Sequence, residues 1–130
     1  MHKKWNPDGM ARPNSRYSHA VLTTGVTRWL TLAGQVGTLP DGTVAQGMEA
    51  QLDACLANVA TGLAAAGMTP ADLIKLTFYL TDGSPATVAA YRARRDAWLG
   101  EVPAPASTLL IVAGLASPAF LCEVDAVAAA

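Results

Sequence analysis

The chain has 130 residues, of which 52% are hydrophobic and only 15% are charged, against roughly 25% charged in an average soluble domain. Nine Lys and Arg face ten Asp and Glu for a net charge of −1. No concentrated basic face is left to neutralise phosphates, which excludes nucleic acid as the expected partner. The length suits one domain over residues 1–130 with its own core. So small a body cannot bury that much apolar surface alone, so association with further copies is expected.

Cys55 and Cys122 are far apart, and His2 and His19 are the only histidines. Zinc would need three or four ligands at recognisable spacing, so no metal site is expected. "MHKKWNPDGM" has the charge of a secretory signal but no apolar stretch behind it. No run approaches the roughly 20 apolar residues that would span a membrane. A soluble, cytoplasmic protein without a membrane partner is the reading. Arg92, Arg94 and Arg95 cluster, and they read as the solvated face of a helix.

"RYSHAVLTTGVTRWLTLAGQVG" (16–37) contains two β-rich runs around Thr23-Thr24-Gly25, the pattern of a hairpin. "LPDGT" (39–43) is a tight turn by its Pro-Asp-Gly chemistry. "GMEAQLDACLANVATGLAAAG" (47–67) sets Met48, Leu52, Cys55, Leu56, Val59 and Leu63 on one helical stripe, with Gly67 suited to the left-handed stop. "TPADL" (69–73) predicts a short capped turn.

"LIKLTFYL" (73–80) alternates, with Ile74, Leu76, Phe78 and Leu80 on one side and Lys75, Thr77 and Tyr79 on the other. "SPATVAAYRARRDAWLG" (84–100) restarts a helix capped by Ser84, with Val88, Tyr91 and Trp98 inward and Gly100 at its end. "TLLIVAGL" (108–115) lacks alternation, as does a strand buried on both faces. "FLCEVDAVA" (120–128) alternates again, with Leu121, Glu123, Asp125 and Val127 on one side. The order ββαβαββ predicts an α+β domain with a mixed sheet. Two helices cover one face of it, which leaves the other for a second copy.

Four blocks in this order, "RYSHAV", "LAGQVG", "GLAAAGMTPADLIKLTFYLTD" and "PASTLLIVAGL…CEVDAVA", resemble the Rid family of reactive intermediate deaminases, the endoribonuclease L-PSP-like proteins. The resemblance runs from about Asn6 to Ala128. It implies a chorismate-mutase-like fold assembled as a homotrimer, with a small-molecule pocket in each cleft between subunits and no metal or organic cofactor. It also implies hydrolysis of an enamine or imine. In the best-known branch, an arginine in a Pro-Ala-Arg-Ser/Thr motif grips the substrate carboxylate, and a glutamate on the last strand handles the water.

Residue by residue, the resemblance makes Tyr17 a pocket aromatic, Gly34 a glycine whose backbone lines the cleft, and Glu123 the water-handling acid. Ser107 stands in the arginine's slot, because "PAST" replaces "PARS" or "PART", and Thr108 follows it. Leu109 stands near a position where some members have cysteine, and Ala89 near one where some have asparagine. From the residues alone, Glu123 reads as a surface or ion-paired strand carboxylate and Tyr17 as packing. Ser107 reads as an ordinary loop residue and Cys122 as core. An apolar cleft would desolvate a carboxylate at 123 and help it exchange a proton near neutrality.

The missing arginine removes a charge-assisted contact of roughly 1.5–3 kcal/mol. Nothing in the sequence aims Arg16 or Arg28 at the cleft as a replacement. A neutral or smaller imine or enamine ligand is therefore expected, handled by an altered deaminase. A trimer that binds a metabolite without turning it over is the alternative. A ribonuclease is disfavoured by the acidic net charge and by the lack of a histidine at the site.

Overall fold

Apolar residues at helical spacing decide the longest element. In α1 (Met48–Ala65) the stripe Leu52, Cys55, Leu56, Val59 and Leu63 is buried. Each such large side chain contributes about 1.5–3 kcal/mol over its exposed state. Gly67 adopts φ 68° just beyond the helix, the left-handed stop its sequence position suggests. The computed structural model describes all 130 residues, Met1–Ala130.

The strands are β1 (His2–Trp5), β2 (Ala20–Thr23), β3 (Trp29–Val36), β4 (Leu73–Leu80), β5 (Ala106–Ile111) and β6 (Cys122–Ala129). A second helix, α2 (Pro85–Leu99), lies between β4 and β5, and a short 3₁₀ turn (Pro70–Asp72) precedes β4. Thr69 caps that turn in a reciprocal box with Asp72, and Ser84 caps α2 by accepting from the Thr87 N–H.

Four strands form one mixed sheet in the order β3-β6-β4-β5. β6 runs antiparallel to both of its neighbours, and β4 and β5 are parallel. The last strand therefore enters the middle of the sheet. Its core face carries Cys122, Val124, Ala126 and Ala128, all buried. These residues join Leu76, Phe78 and Leu80 of β4 and the α1 stripe in one core cluster. Both helices lie on this side, the α+β arrangement read from the sequence.

Three details depart from that reading. The expected hairpin does not form: β2 pairs with β1, from His2↔Thr23 to Trp5↔Ala20, in a separate two-stranded ribbon. After Gly25 the chain is drawn off to β6 instead, because the Thr27 and Arg28 N–H groups both donate to the Ala130 carbonyl. β1 is an additional strand ahead of the ββαβαββ series; four residues with two lysines are too short to display alternation.

Next, the β4–β6 register shifts between Leu73 and Lys75. Leu73 is consequently sealed in the core in place of Ile74. Finally, "TLLIVAGL" is not covered on both faces within the chain. β5 starts earlier, ends at Ile111 and is an edge strand. It leaves Leu110 40% and Ile111 51% exposed, so its lack of alternation reflects a face that this chain does not cover.

Candidate functional site

Ser107 of "PAST" and Glu123 of "CEVDAVA" fall on opposite faces of the sheet. Leu76 of β4 is matched with Ser107 and Phe78 with Leu109, so Ser107 and Leu109 share the helix-covered face with those core residues. Thr108 is on the other face, where its hydroxyl accepts from Lys75 Nζ at 2.6 Å. Glu123 is also on that open face, paired across the strands with Val36 and Tyr79.

Glu123 is seated by a glycine. The β3–β6 register breaks between Leu32 and Gln35, which leaves Ala33 and Gly34 as an irregularity of the kind that re-aims side chains near functional sites. The Glu123 carboxyl group lies against Gly34. A Cβ at Gly34 would overlap Glu123 Oε1 and sit 2.8 Å from its Cδ. Nearby, the Tyr79 hydroxyl donates to Asp125 Oδ2 at 2.9 Å. That bond, with the Asp125 and Glu123 charges, holds the Tyr79 hydroxyl above its ordinary pKa. On the opposite, core side of β6, Cys122 Sγ is 3.6 Å from Cys55 Sγ. Cys122 is thus the small core residue its alternation indicates. The contact and burial push the Cys55 thiol well above its ordinary pKa.

The second half-site is a cavity of about 270 Å³ at the β5 edge. Asn14, Ser15 and Tyr17 line it from the loop before β2, Tyr91 and Arg95 from α2, and Ser107 from β5. The loop is pinned there by backbone: the Ser18 N–H donates to the Pro105 carbonyl at 3.0 Å and its hydroxyl to the Ala104 carbonyl at 2.7 Å. Those two bonds set Tyr17 beside Ser107. The Ser107 hydroxyl is buried and has no hydrogen-bond partner.

The structure thus groups the five sequence-selected residues in pairs. Tyr17 and Ser107 share the cavity, Gly34 and Glu123 are in contact, and Thr108 belongs to neither pair. No group of three or more His, Cys, Asp or Glu side chains converges anywhere in the chain.

Arg95 corrects the reading of the arginine cluster as a solvated face. It is 2% exposed. Its Nε donates to Asp96 Oδ1 at 2.9 Å, Nη1 to the Tyr91 hydroxyl at 3.0 Å and Nη2 to Ser15 Oγ at 2.8 Å. Arg94 pairs with Glu49 and Asp53 of α1, and of the three arginines only Arg92 is an exposed residue without an ion pair. The missed signal was spacing: Tyr91 was on the inner stripe, and a residue four positions on shares its face. Arg16 and Arg28 serve the helix ends instead. Arg16 donates to the carbonyls of Asp96, Gly100 and Val102, and Arg28 to that of Ala66.

A helix-backed mixed sheet with a glutamate over a glycine on its open face and a polar cavity at its edge defines a small α+β protein whose two candidate half-sites are on opposite faces of the sheet. The endoribonuclease L-PSP family pattern matches residues 9–130, and the chain belongs to that family, the Rid proteins. It is similar to the Rid-family protein YyfB of Yersinia pestis, itself described as of unknown function. The two share 34% identity over 99% of this chain and 98% of the other, with a TM-score of 0.91. RidA from an Antarctic Psychrobacter is 25% identical over 98% and 99% of the two chains, with a TM-score of 0.72. The YjgF gene product of E. coli is 25% identical over 98% of each, with a TM-score of 0.70. No curated relative matches the sequence. No helix is long and apolar enough to cross a membrane.

Proposed function

We infer that this chain is a Rid-type deaminase that hydrolyses a small reactive imine or enamine in a cleft between the subunits of a homotrimer. The observation that carries this reading is the Glu123 carboxyl group resting against Gly34. A glycine cleared for a carboxylate leaves that carboxylate free to face a ligand. Glu123 takes a proton from a water that adds to the C=N carbon, and the nitrogen gains a proton as the carbinolamine forms. The C–N bond then breaks, nitrogen leaves as ammonia, and the carbon becomes a carbonyl. An enamine is first protonated on carbon to give the imine.

The split between faces supports a cleft shared between copies. Ser107 and Tyr17 cannot meet Glu123 of the same chain, because the sheet separates them. A second copy laid on the open face brings one chain's edge cavity to the other's glutamate. The exposed Leu110 and Ile111 supply apolar area for that contact.

RNA cleavage is a poorer fit. His2 bonds Thr23 and the Ala129 carbonyl, and His19 bonds the Ala11 carbonyl, so both histidines are engaged away from Glu123.

The decisive assay is ammonia release from a panel of imines, with wild type beside Glu123→Gln. The expected result is activity in wild type that falls by at least about 10²-fold in the variant. Turnover that survives the substitution would remove Glu123 from the chemistry. No turnover across the panel, with ligand-induced thermal shifts retained, would favour the binding trimer.

A further inference from the structure

We propose that Arg95 is the cation of this pocket, supplied from α2 in place of the arginine absent at position 107, and that the ligand it holds is a small carboxylate. The proposal rests on the deaminase reading for the location of the ligand. It reverses the expectation of a neutral ligand drawn from "PAST".

The cavity contains no carboxylate among its lining residues but two guanidinium groups, those of Arg92 and Arg95. Arg92 makes no ion pair, and Asp96, the one acidic partner of Arg95, is 41% exposed and outside the lining. The wall is therefore electropositive in a chain whose net charge is −1.

The hydroxyls strengthen this bias. Tyr91 and Ser15 each accept a hydrogen bond from Arg95, so each retains its own hydrogen as a donor. A hydroxyl polarised by a guanidinium is a better donor than a free one. Ser107 adds a third hydroxyl, buried and unpartnered. An unsatisfied buried hydroxyl is a standing penalty that an arriving acceptor removes. Three hydroxyl donors and a fixed cation, whose one carboxylate partner Asp96 stands outside the lining, suit a carboxylate, whose two oxygens only accept. The volume of about 270 Å³ is slightly below the range of drug-sized pockets and suits a small ligand.

Arg95 is held rigid by its three bonds and by Tyr91, whose ring centroid is 5.0 Å from the guanidinium carbon. A preorganised cation loses little freedom on binding. In this geometry Ser107 is a donor that completes the Arg95 site.

Binding of propionate and pyruvate, with propionamide as the uncharged control, tests the proposal by calorimetry without turnover. Wild type should bind the carboxylates at least about 10-fold more tightly than the amide. Arg95→Gln should abolish that preference. Ser107→Ala, which removes only the unpartnered hydroxyl, should leave the melting temperature unchanged or raised yet weaken carboxylate binding several-fold. Equal affinity of wild type for propionate and propionamide would overturn the proposal. So would a carboxylate preference that survives Arg95→Gln in a folded protein. If Arg95→Gln does not fold, an unaltered preference in Ser107→Ala overturns it instead. Ammonia release separates the two readings. Hydrolysis of neutral imines without carboxylate preference sinks this inference alone, whereas carboxylate binding without hydrolysis of any imine sinks the deaminase reading alone.

Discussion

Gly34→Ala tests the seat of Glu123 with one methyl group. Gly34 does not have a left-handed φ, so alanine is acceptable to the backbone and the conflict is purely steric. The added Cβ would overlap Glu123 Oε1 and approach Cδ to 2.8 Å and Cγ to 3.1 Å. All three atoms belong to a flexible side chain on a half-buried strand position, so Glu123 yields by turning away. An off-rotamer side chain costs about 0.5–1.5 kcal/mol, which for a chain of this size lowers the melting temperature by about 2–6 °C. The effect on rate should be far larger, because a misplacement of about 1 Å at a reacting group costs about 10²-fold. Calorimetry and ammonia-release kinetics on one preparation separate the two effects: a small thermal shift with kcat/KM down about 100-fold. A folded Gly34→Ala protein that keeps its kcat/KM within about threefold would refute the placement of the working carboxylate over Gly34.

Light scattering at micromolar concentration should give about three times the 13.4 kDa chain mass, and Leu110→Glu on the exposed edge should reduce it to one; a wild-type monomer would sink the shared cleft. Arg16→Ala removes three bonds to carbonyls in the last turn of α2 and just beyond its end and should cost on the order of 2 kcal/mol in urea, after allowance for partial exposure; a loss under about 0.5 kcal/mol would show that the helix end holds without it. Asp82 bonds to Thr87 and Ser84 hold its carboxyl below the ordinary 3.8, so its contribution is whole above that pH and is lost as the pH falls through the lower folded value. Asp82→Asn should flatten the decline of the melting temperature below pH 4, and an unchanged acid slope would contradict the assignment.

What was legible in the sequence follows from periodicity. The α1 stripe from Leu52 to Leu63 and the alternation of β6 carry their own phase, so Cys122 in the core and Glu123 on the other face could be read directly. β1 could not be read, because "HKKW" has neither length nor alternation. The false hairpin shows the same limit from the other side. Thr23-Thr24-Gly25 has turn chemistry, but strand partners are chosen by long-range pairing, and Ala130 competes successfully for Thr27 and Arg28.

The candidate site residues could be picked out one by one along the sequence, but their arrangement could not. "TLLIV" has no alternation, so nothing in it states which face Ser107 takes, and a one-residue slip in β5 would exchange Ser107 with Thr108. The parallel register Leu76↔Ser107 resolves that choice, and it sets Ser107 against α2 rather than beside Glu123. Arg95 was hidden by the opposite error. Three arginines in four positions suggest a charged surface, yet a helix gives adjacent residues different faces. Arg92 opens to solvent, Arg94 reaches across to α1, and Arg95 turns inward beneath Tyr91 to Ser15 and Ser107's cavity. A cation lost from a strand motif can therefore be replaced from a helix that packs over the same strand. Motif comparison along the sequence would not detect the exchange, because the two positions are 12 residues apart in the chain and adjacent only in the fold.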